Sequence, residues 1–211
     1  MASTLDSTKP LGGNIANYVP EKLPYVPPLV TACIKEIELL SEVGMSMYKE
    51  NGDLAIAKVL VREYRRSKKV PDLKGVDIHT LESTLRLFLA SLSEPLIIEE
   101  FRDPFVTAAL MTDKKKKDAA LSEAIILLPA PNLHTLSYLI HHLRFISKLS
   151  STNHYNRLAV VFGRILVAGR SRCLASSLYI LHPEDQEEVV QSLLEMDVSY
   201  DSFLPFKSQD S

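Results

Sequence analysis

The stretch that decides the fold spans residues 77–96 and reads DIHTLESTLRLFLASLSEPL. Its large apolar residues alternate spacings of three and four, which places them on one face of a helix: Ile78, Leu81, Leu85, Phe88 and Leu92. Asp77 stands where a helix N-cap is expected, and Pro95 cannot continue a helix. The stretch therefore predicts an amphipathic helix with one buried face.

The same periodicity recurs on both sides of this helix, whereas strand signals are scarce. It predicts further helices over about 30–40, 54–66, 97–112, 119–128, 133–149, 156–169 and 184–195. We therefore expect an all-α domain of seven to nine helices over residues 25–200. An irregular, proline-rich arm lying on the surface is expected at 1–24, and a disordered tail at 201–211. The four lysines at 114–117 are expected to form a solvated loop between helices.

Composition narrows the class of protein. With 211 residues, the chain is long enough for one domain with a real core, and its net charge of −2 argues against a general nucleic-acid binder. No apolar run approaches the roughly 20 residues of a transmembrane helix, and the first residues lack the features of a signal peptide. Cys33 and Cys173 are expected to be two reduced thiols rather than a disulfide. These features together indicate a cytoplasmic protein.

Motifs for intrinsic catalysis are absent from the sequence. It contains no GxxxxGK[ST] loop, no HExxH and no GxSxG. His141 and His142 are adjacent, so on a helix they point about 100° apart and cannot share one ion. Both are expected near the surface. We therefore expect neither a metal site nor a cofactor.

Four ordered motifs resemble one known family. They are Cys33-Ile-Lys-Glu-Ile-Glu38, Tyr48-Lys-Glu-Asn-Gly52, the stretch 77–96, and Asn156-Arg-Leu-Ala-Val-Val-Phe-Gly163. In this order they resemble the RhoGAP domain, above all that of the centralspindlin Rac-GAP subfamily, whose forms include CxxEIE, Y-R-x-S-G and N-L-A-x-V-F-G. Helicity alone does not require identities such as DIH, SEPL and VVFG.

The resemblance implies a partner and a mechanism. RhoGAP domains bind Rho, Rac or Cdc42 in the GTP state and insert an arginine finger that neutralises charge on the transferring phosphate. In the Ras system such a finger is worth roughly 10³–10⁵ in rate. Counting from Cys33 without insertion, the finger position here is Lys49, flanked by Tyr48, Asn51 and Gly52. Lysine keeps the charge but lacks the planar fork of donors.

Other family positions also differ from the pattern. The family's second cation is Arg86 here, which keeps the charge, whereas the arginine four residues later is Ala90. The resemblance assigns these two positions to the GTPase-binding surface, together with Tyr48, Asn51, Gly52, Arg164 and Ile165. The family turn F-G-P-N reads Phe-Gly-Arg164-Ile165, so its proline and its GTPase-contacting asparagine are both replaced. The resemblance implies a domain that binds a Rho-family GTPase, and these differences predict weak or absent stimulation of hydrolysis.

Two alternatives stay open at this point. In the first, the domain is an active GTPase-activating protein that uses Lys49 or Arg164 as its cation. In the second, it is a scaffold or interaction module that no longer contacts GTPases. The basic residues at 62–69 fit either a solvated helix end or steering toward an acidic GTPase surface. A peripheral membrane contact through Lys114–Lys117, and a cortical or cytoskeletal location with a role in cytokinesis, are also left open.

Overall fold

The computed structural model describes residues 12–149, 155–169 and 183–205. Over these residues the chain forms eight α-helices and no β-strand, which confirms the all-α fold. The helices are α1 Pro28–Leu40, α2 Leu54–Ser67, α3 Ile78–Ala90, α4 Glu99–Ala109, α5 Lys114–Leu127, α6 Ala130–Leu149, α7 Tyr155–Leu166 and α8 Pro183–Glu195. Short 3-10 turns lie at Ile15–Asn17 and Tyr200–Phe203.

Local capping defines the two helices that later frame the site. The Asp53 carboxylate accepts hydrogen bonds from the backbone N–H groups of Ala55 and Ile56 at 2.8 and 3.0 Å, which starts α2. Asp77 caps α3 in the same way through the Thr80 N–H at 3.0 Å. These caps satisfy two first-turn amide donors of α2 and one of α3, which favours the start of each helix at the residue after its aspartate. Leu81, Leu85 and Phe88 of the predicted stripe are buried, and Ile78 is half-buried. The expectation of a single buried face is wrong, since Thr80, Glu82, Ser83 and Thr84 are buried too, because α3 packs against α1, α2 and α7.

The core lies between helices that are distant in sequence. α7 packs against α8 so closely that a Cβ built on Gly163 would lie 3.1 Å from the backbone nitrogen of Glu187. Beyond α7, the backbone pairs with the segment after α3: the Ile97 N–H donates to Leu166 O at 2.8 Å, and the Ala168 N–H donates to Ile97 O at 2.9 Å. These contacts hold α3 and α7 beside each other.

The expectation of a loop at Lys114–Lys117 is wrong, since these lysines form the first turn of α5. Asp113 caps the helix by accepting from the Lys116 N–H at 3.1 Å. Asp118, one turn along, pairs with the Lys114 ammonium. Lysine is a good helix former, so a cap and one opposite charge keep the run helical.

The N-terminal segment is also more integrated than a surface arm. Ile15 and Tyr18 are buried in the core. The ring of Tyr18 lies 5.3 Å from that of Phe88 in an edge-to-face contact. At the other end, the 3-10 turn Tyr200–Phe203 extends regular structure past residue 200, since Tyr200 is buried. Residues 1–11 and 206–211, as well as Cys173, lie outside the described part.

Candidate functional site

The loop that joins α1 to α2, residues 41–53 (hereafter the α1–α2 loop), presents Lys49 to solvent. The residue before it, Tyr48, is buried and has φ of 56°, a left-handed conformation that is uncommon for a bulky side chain. Its backbone N–H donates to a carboxylate oxygen of Glu82 at 2.8 Å. This sharp bend buries one side chain and turns the next outward, so Lys49 is exposed.

A buried chain of hydrogen bonds holds the Tyr48 side chain. Its hydroxyl lies 2.9 Å from Nε2 of His142, whose Nδ1 lies 2.8 Å from the carboxylate of Glu38. A carboxylate only accepts, so Nδ1 of His142 donates to Glu38 and Nε2 accepts from the tyrosine hydroxyl. Burial lowers the pKa of His142, while Glu38 acts in the opposite direction. The neutral ring therefore serves as a connector between α1, α6 and the loop.

His142 corrects the expectation that both adjacent histidines lie near the surface. Its side chain is 1% exposed, whereas that of His141 is 54% exposed. The sequence showed that they point in different directions, but not which of the two faces the core. Since His142 bonds to the buried Tyr48 and to Glu38, it helps to hold the α1–α2 loop in place.

Gly52 fastens the other end of the α1–α2 loop to the start of α3. Its N–H donates to the hydroxyl of Ser83 at 3.2 Å, and the next N–H, of Asp53, donates to the hydroxyl of Thr80 at 2.7 Å. A Cβ at residue 52 would lie 2.1 Å from the backbone nitrogen of Thr80. Only glycine permits this approach of two backbones.

Arg157 on α7 is a supporting residue that the sequence analysis missed. Its guanidinium donates to the hydroxyl of Ser46 and to the carbonyl oxygen of Met47, both at 2.9 Å. Its Nε is buried and has no hydrogen-bond partner among the residues that the structure describes. The only signal in the sequence was that Arg157 interrupts the motif at 156–163, where the family form places leucine directly after asparagine.

Arg86 also supports the loop. One of its terminal nitrogens lies 2.8 Å from the Asn51 side-chain oxygen and 3.3 Å from the Ser83 hydroxyl, with the Glu50 carbonyl oxygen at 3.4 Å. In contrast, no hydrogen bond or ion pair joins Lys49 to any other residue within the described ranges. The site thus combines one free cation with a second that is engaged by the loop.

An apolar groove of about 290 Å³ lies beside this loop, between α2, α3 and α7. Hereafter called the apolar groove, it is lined by Asn51, Leu54, Ser83, Arg86, Leu87, Ala90, Val161 and Ile165. The fold thus brings together Asn51, Arg86, Ala90 and Ile165, which are far apart in sequence. Arg164 is exposed on α7 and does not line the groove. A solvent-facing ammonium beside an apolar groove can dock an apolar protein surface that carries an anion.

The described part of the chain offers no group of three or more His, Cys, Asp or Glu residues placed to hold a metal ion. Nor is any helix in it long and apolar enough to cross a membrane.

Comparison with known proteins identifies what this architecture is similar to. The family model described as the RhoGAP domain matches residues 27–171. Mouse Rac GTPase-activating protein 1 is 35% identical over 158 residues, which are 74% of this chain and 25% of that protein. Human Rho GTPase-activating protein 12 is 29% identical over 190 residues, 87% of this chain and 22% of that protein. The chain thus spans about a quarter of the length of these relatives.

The fold has a close counterpart among solved structures. The crystal structure of human Rho GTPase activating protein 15 superposes with a TM-score of 0.78 at 24% identity, covering 91% of this chain and 92% of that one. At this level of identity the likeness concerns the fold.

Proposed function

The chain belongs to the RhoGAP domain family, and we propose that it binds a Rho-family GTPase (Rac, Cdc42 or Rho) while stimulating GTP hydrolysis weakly or not at all. Related proteins carry the names of Rac and Rho GTPase-activating proteins, so the family supports regulation of such a GTPase in general. The proposal that hydrolysis is stimulated weakly or not at all rests on this chain's own site residues.

The observation that carries the proposal is the way Lys49 is presented. Tyr48 and Gly52, on either side of it, are held by buried hydrogen bonds and by close backbone contact. A loop anchored this firmly presents its exposed residue at a defined place, which is what transition-state stabilisation requires. At that place stands an ammonium group, which lacks the guanidinium's several donors in one plane. We therefore expect the loop to dock on the GTPase but to accelerate GTP hydrolysis little.

The apolar groove supports retained binding. Ala90 and Ile165 stand where the family carries an arginine and an asparagine, and together with Leu54 and Val161 they make the surface beside Lys49 apolar. Removal of apolar area from water is favourable, by about 25 cal/mol per Å² for the transfer alone. Only the part that exceeds the entropic cost of association contributes to affinity. Because apolar residues replace polar ones here, this surface can make apolar contacts with a GTPase but fewer polar contacts near its phosphate site.

Single-turnover GTP hydrolysis tests the proposal. Rac, Cdc42 and Rho loaded with GTP are mixed with the wild-type chain, with Lys49→Ala and with Lys49→Arg; Lys116→Arg on α5 serves as a matched exposed control. We expect little stimulation by the wild type, no further loss in Lys49→Ala, and a gain in Lys49→Arg. Strong stimulation by the wild type that Lys49→Ala abolishes would overturn the proposal and identify Lys49 as the working cation.

Binding is measured separately from hydrolysis. Each GTPase is tested with a non-hydrolysable GTP analogue and with GDP plus a transition-state analogue. We expect saturable binding of the GTP-analogue form that Leu54→Asp in the apolar groove removes. Failure to bind any Rho-family GTPase in either state would leave the scaffold alternative.

One observation favours a second candidate, an active domain that uses Arg164. This residue is exposed on α7, and helical spacing puts it on the same side as Arg157, which contacts the α1–α2 loop. Stimulation that survives Lys49→Ala but disappears in Arg164→Ala would support it.

The proposal also includes a cytoplasmic location at the cortex or cytoskeleton, which a fluorescently tagged chain would test.

A further inference from the structure

A second groove, lined by cations, lies on the other side of Leu87 from the apolar groove. Hereafter called the basic groove, it has a volume of about 510 Å³ and runs between α2 and the C-terminal end of α3. Four cationic side chains of α2 line it: Lys58, Arg62, Arg65 and Arg66. Tyr18, Val61, Leu87 and Ser91 form the rest of its wall. The Lys68 ammonium lies 3.5 Å from the centre of the Tyr18 ring.

These cations have no counter-charge of their own. Within the described ranges, none of the four forms an ion pair with an acidic side chain. Glu63, the one acidic residue of α2, does not line the groove. The lysine run of α5 differs, because Lys114 pairs with Asp118 and Lys117 lies 3.5 Å from Glu188. Like charges one turn apart destabilise a helix, so the cluster in the basic groove opposes folding.

The helix dipole does not account for the cluster. Cations are favoured within the last turn of a helix, and Arg65 and Arg66 lie there in α2. Lys58 stands in the second turn from the N-terminus, and Arg62 stands before the last turn. Neither gains from the dipole, yet both face the same groove as the two terminal arginines. The shared feature of the four residues is the groove.

The shape and chemistry of the groove specify the class of ligand. Pockets of roughly 300–1,000 Å³ suit small molecules, and the basic groove falls in this range. Arginine forks match the oxygens of phosphate groups in bidentate fashion. Arg65 is partly buried, with one terminal nitrogen 3.5 Å from the carbonyl oxygen of Ser91. Four cations that line one concave site suit several phosphates on one small ring better than carboxylates scattered over a protein surface.

The geometry points to a binding site for a polyphosphorylated small molecule, of the inositol phosphate class, in the basic groove. The ligand is either a free inositol phosphate or the headgroup of a phosphoinositide lipid, which present the same phosphates. The site does not depend on a GTPase, so it stands or falls independently of the proposed function.

Isothermal titration of the full chain with inositol trisphosphate tests the site at about physiological ionic strength. The groove variant is Arg62→Gln with Arg66→Gln, two exposed residues whose replacement leaves the core intact. The matched control is Lys115→Gln with Lys116→Gln on α5, which removes the same charge from another exposed helical face. Thermal unfolding checks that each variant is folded. We expect saturable binding that the groove variant weakens by about tenfold or more, since each lost charge-assisted bond is strong, while the control changes little.

A second experiment distinguishes the two sources of the ligand. Sedimentation is measured with phosphatidylcholine vesicles that carry phosphatidylinositol bisphosphate, and with phosphatidylserine vesicles of equal charge. Binding of the phosphoinositide vesicles that soluble inositol trisphosphate displaces indicates a lipid headgroup. Binding of the soluble compound alone indicates a free metabolite, and both results support the site.

Other outcomes overturn the inference. They are the absence of saturable binding to either probe, an equal loss of affinity in the groove variant and the control, and equal binding to phosphatidylserine vesicles. Displacement of inositol trisphosphate by poly-glutamate at equal charge would also overturn it, and would indicate instead an acidic protein partner.

Discussion

Replacement of Gly52 by alanine tests the close contact that anchors the α1–α2 loop. The new methyl group would lie 2.1 Å from the backbone nitrogen of Thr80 and 2.4 Å from the carbonyl carbon of His79. Both are backbone atoms at the start of α3, so no side-chain rotation relieves the overlap. Ordinary contact begins at 3.4 Å, so the loop must move away by more than an ångström. Such a movement separates the loop from α3.

The structure sets the size of the effect. The movement breaks two hydrogen bonds, from the Gly52 N–H to Ser83 and from the Asp53 N–H to Thr80. Each is worth about 0.5–1.5 kcal/mol, and the steric strain adds about 1–3 kcal/mol. The free energy of unfolding should therefore fall by about 2–6 kcal/mol, a large part of the 5–15 kcal/mol typical of a domain. For a chain of this size the melting temperature falls by about 2–4 °C for each kcal/mol.

Urea denaturation monitored by circular dichroism gives the free energy, and Gly44→Ala is the matched control. Gly44 lies in the same loop with φ of 92°, and apart from its chain neighbours no described residue has an atom within 4 Å of a Cβ built there. Its replacement therefore costs only backbone strain, about 1–2 kcal/mol. If Gly52→Ala were no more destabilising than Gly44→Ala, the argument that loop and helix touch at this residue would be refuted.

Three further predictions concern the support of the loop. Because burial lowers the pKa of His142, the unfolded chain binds a proton at mildly acidic pH that the folded chain does not bind. The free energy of unfolding should therefore fall as the pH drops below about 6.5, by up to about 1.4 kcal/mol per pH unit for this group. His142→Gln should flatten that dependence in urea titrations between neutral and mildly acidic pH, and an unchanged slope would contradict the assignment. Tyr48→Phe removes the donor to the buried imidazole and should cost about 1–3 kcal/mol; an equally stable variant would show that the hydroxyl is not needed. Arg157→Ala releases Ser46 and Met47, so amide hydrogen exchange in the loop should accelerate, whereas the exposed Arg164→Ala should leave it unchanged.

The sequence predicted those parts of the fold that depend on neighbours along the chain. Leu81, Leu85 and Phe88 are buried as their spacing indicates, and Asp77 caps the helix at the expected residue. Motif order also led to the RhoGAP family, and the matched residues 27–171 confirm it. The same local reasoning failed at Lys114–Lys117, where a run of like charges indicated a loop although a cap and a carboxylate one turn away keep it helical.

The composition of the site could be read in part, but its arrangement could not. Arg86 stays a predicted GTPase-binding residue; what the sequence did not indicate is its hydrogen bond to Asn51, across 35 residues of chain. His142 was expected near the surface, yet it meets Tyr48 across 94 residues in the core. Arg157 carried no expectation of its own and reaches Met47 across 110 residues. None of these partners is a neighbour in sequence.

The sequence by itself determined most of the helices, the apolar stripe of α3, the family and the presence of a lysine at the finger position. These depend on spacing, capping and residue identity, which act over a few residues. Only the tertiary structure decided that Tyr48 is held by His142 and Glu38, that Arg86 serves the loop, and that Ala90 and Ile165 share one groove. The physical reason is that a hydrogen bond or an apolar contact depends on distance in space. Which helix faces meet, and in which register, follows from the packing of the whole core.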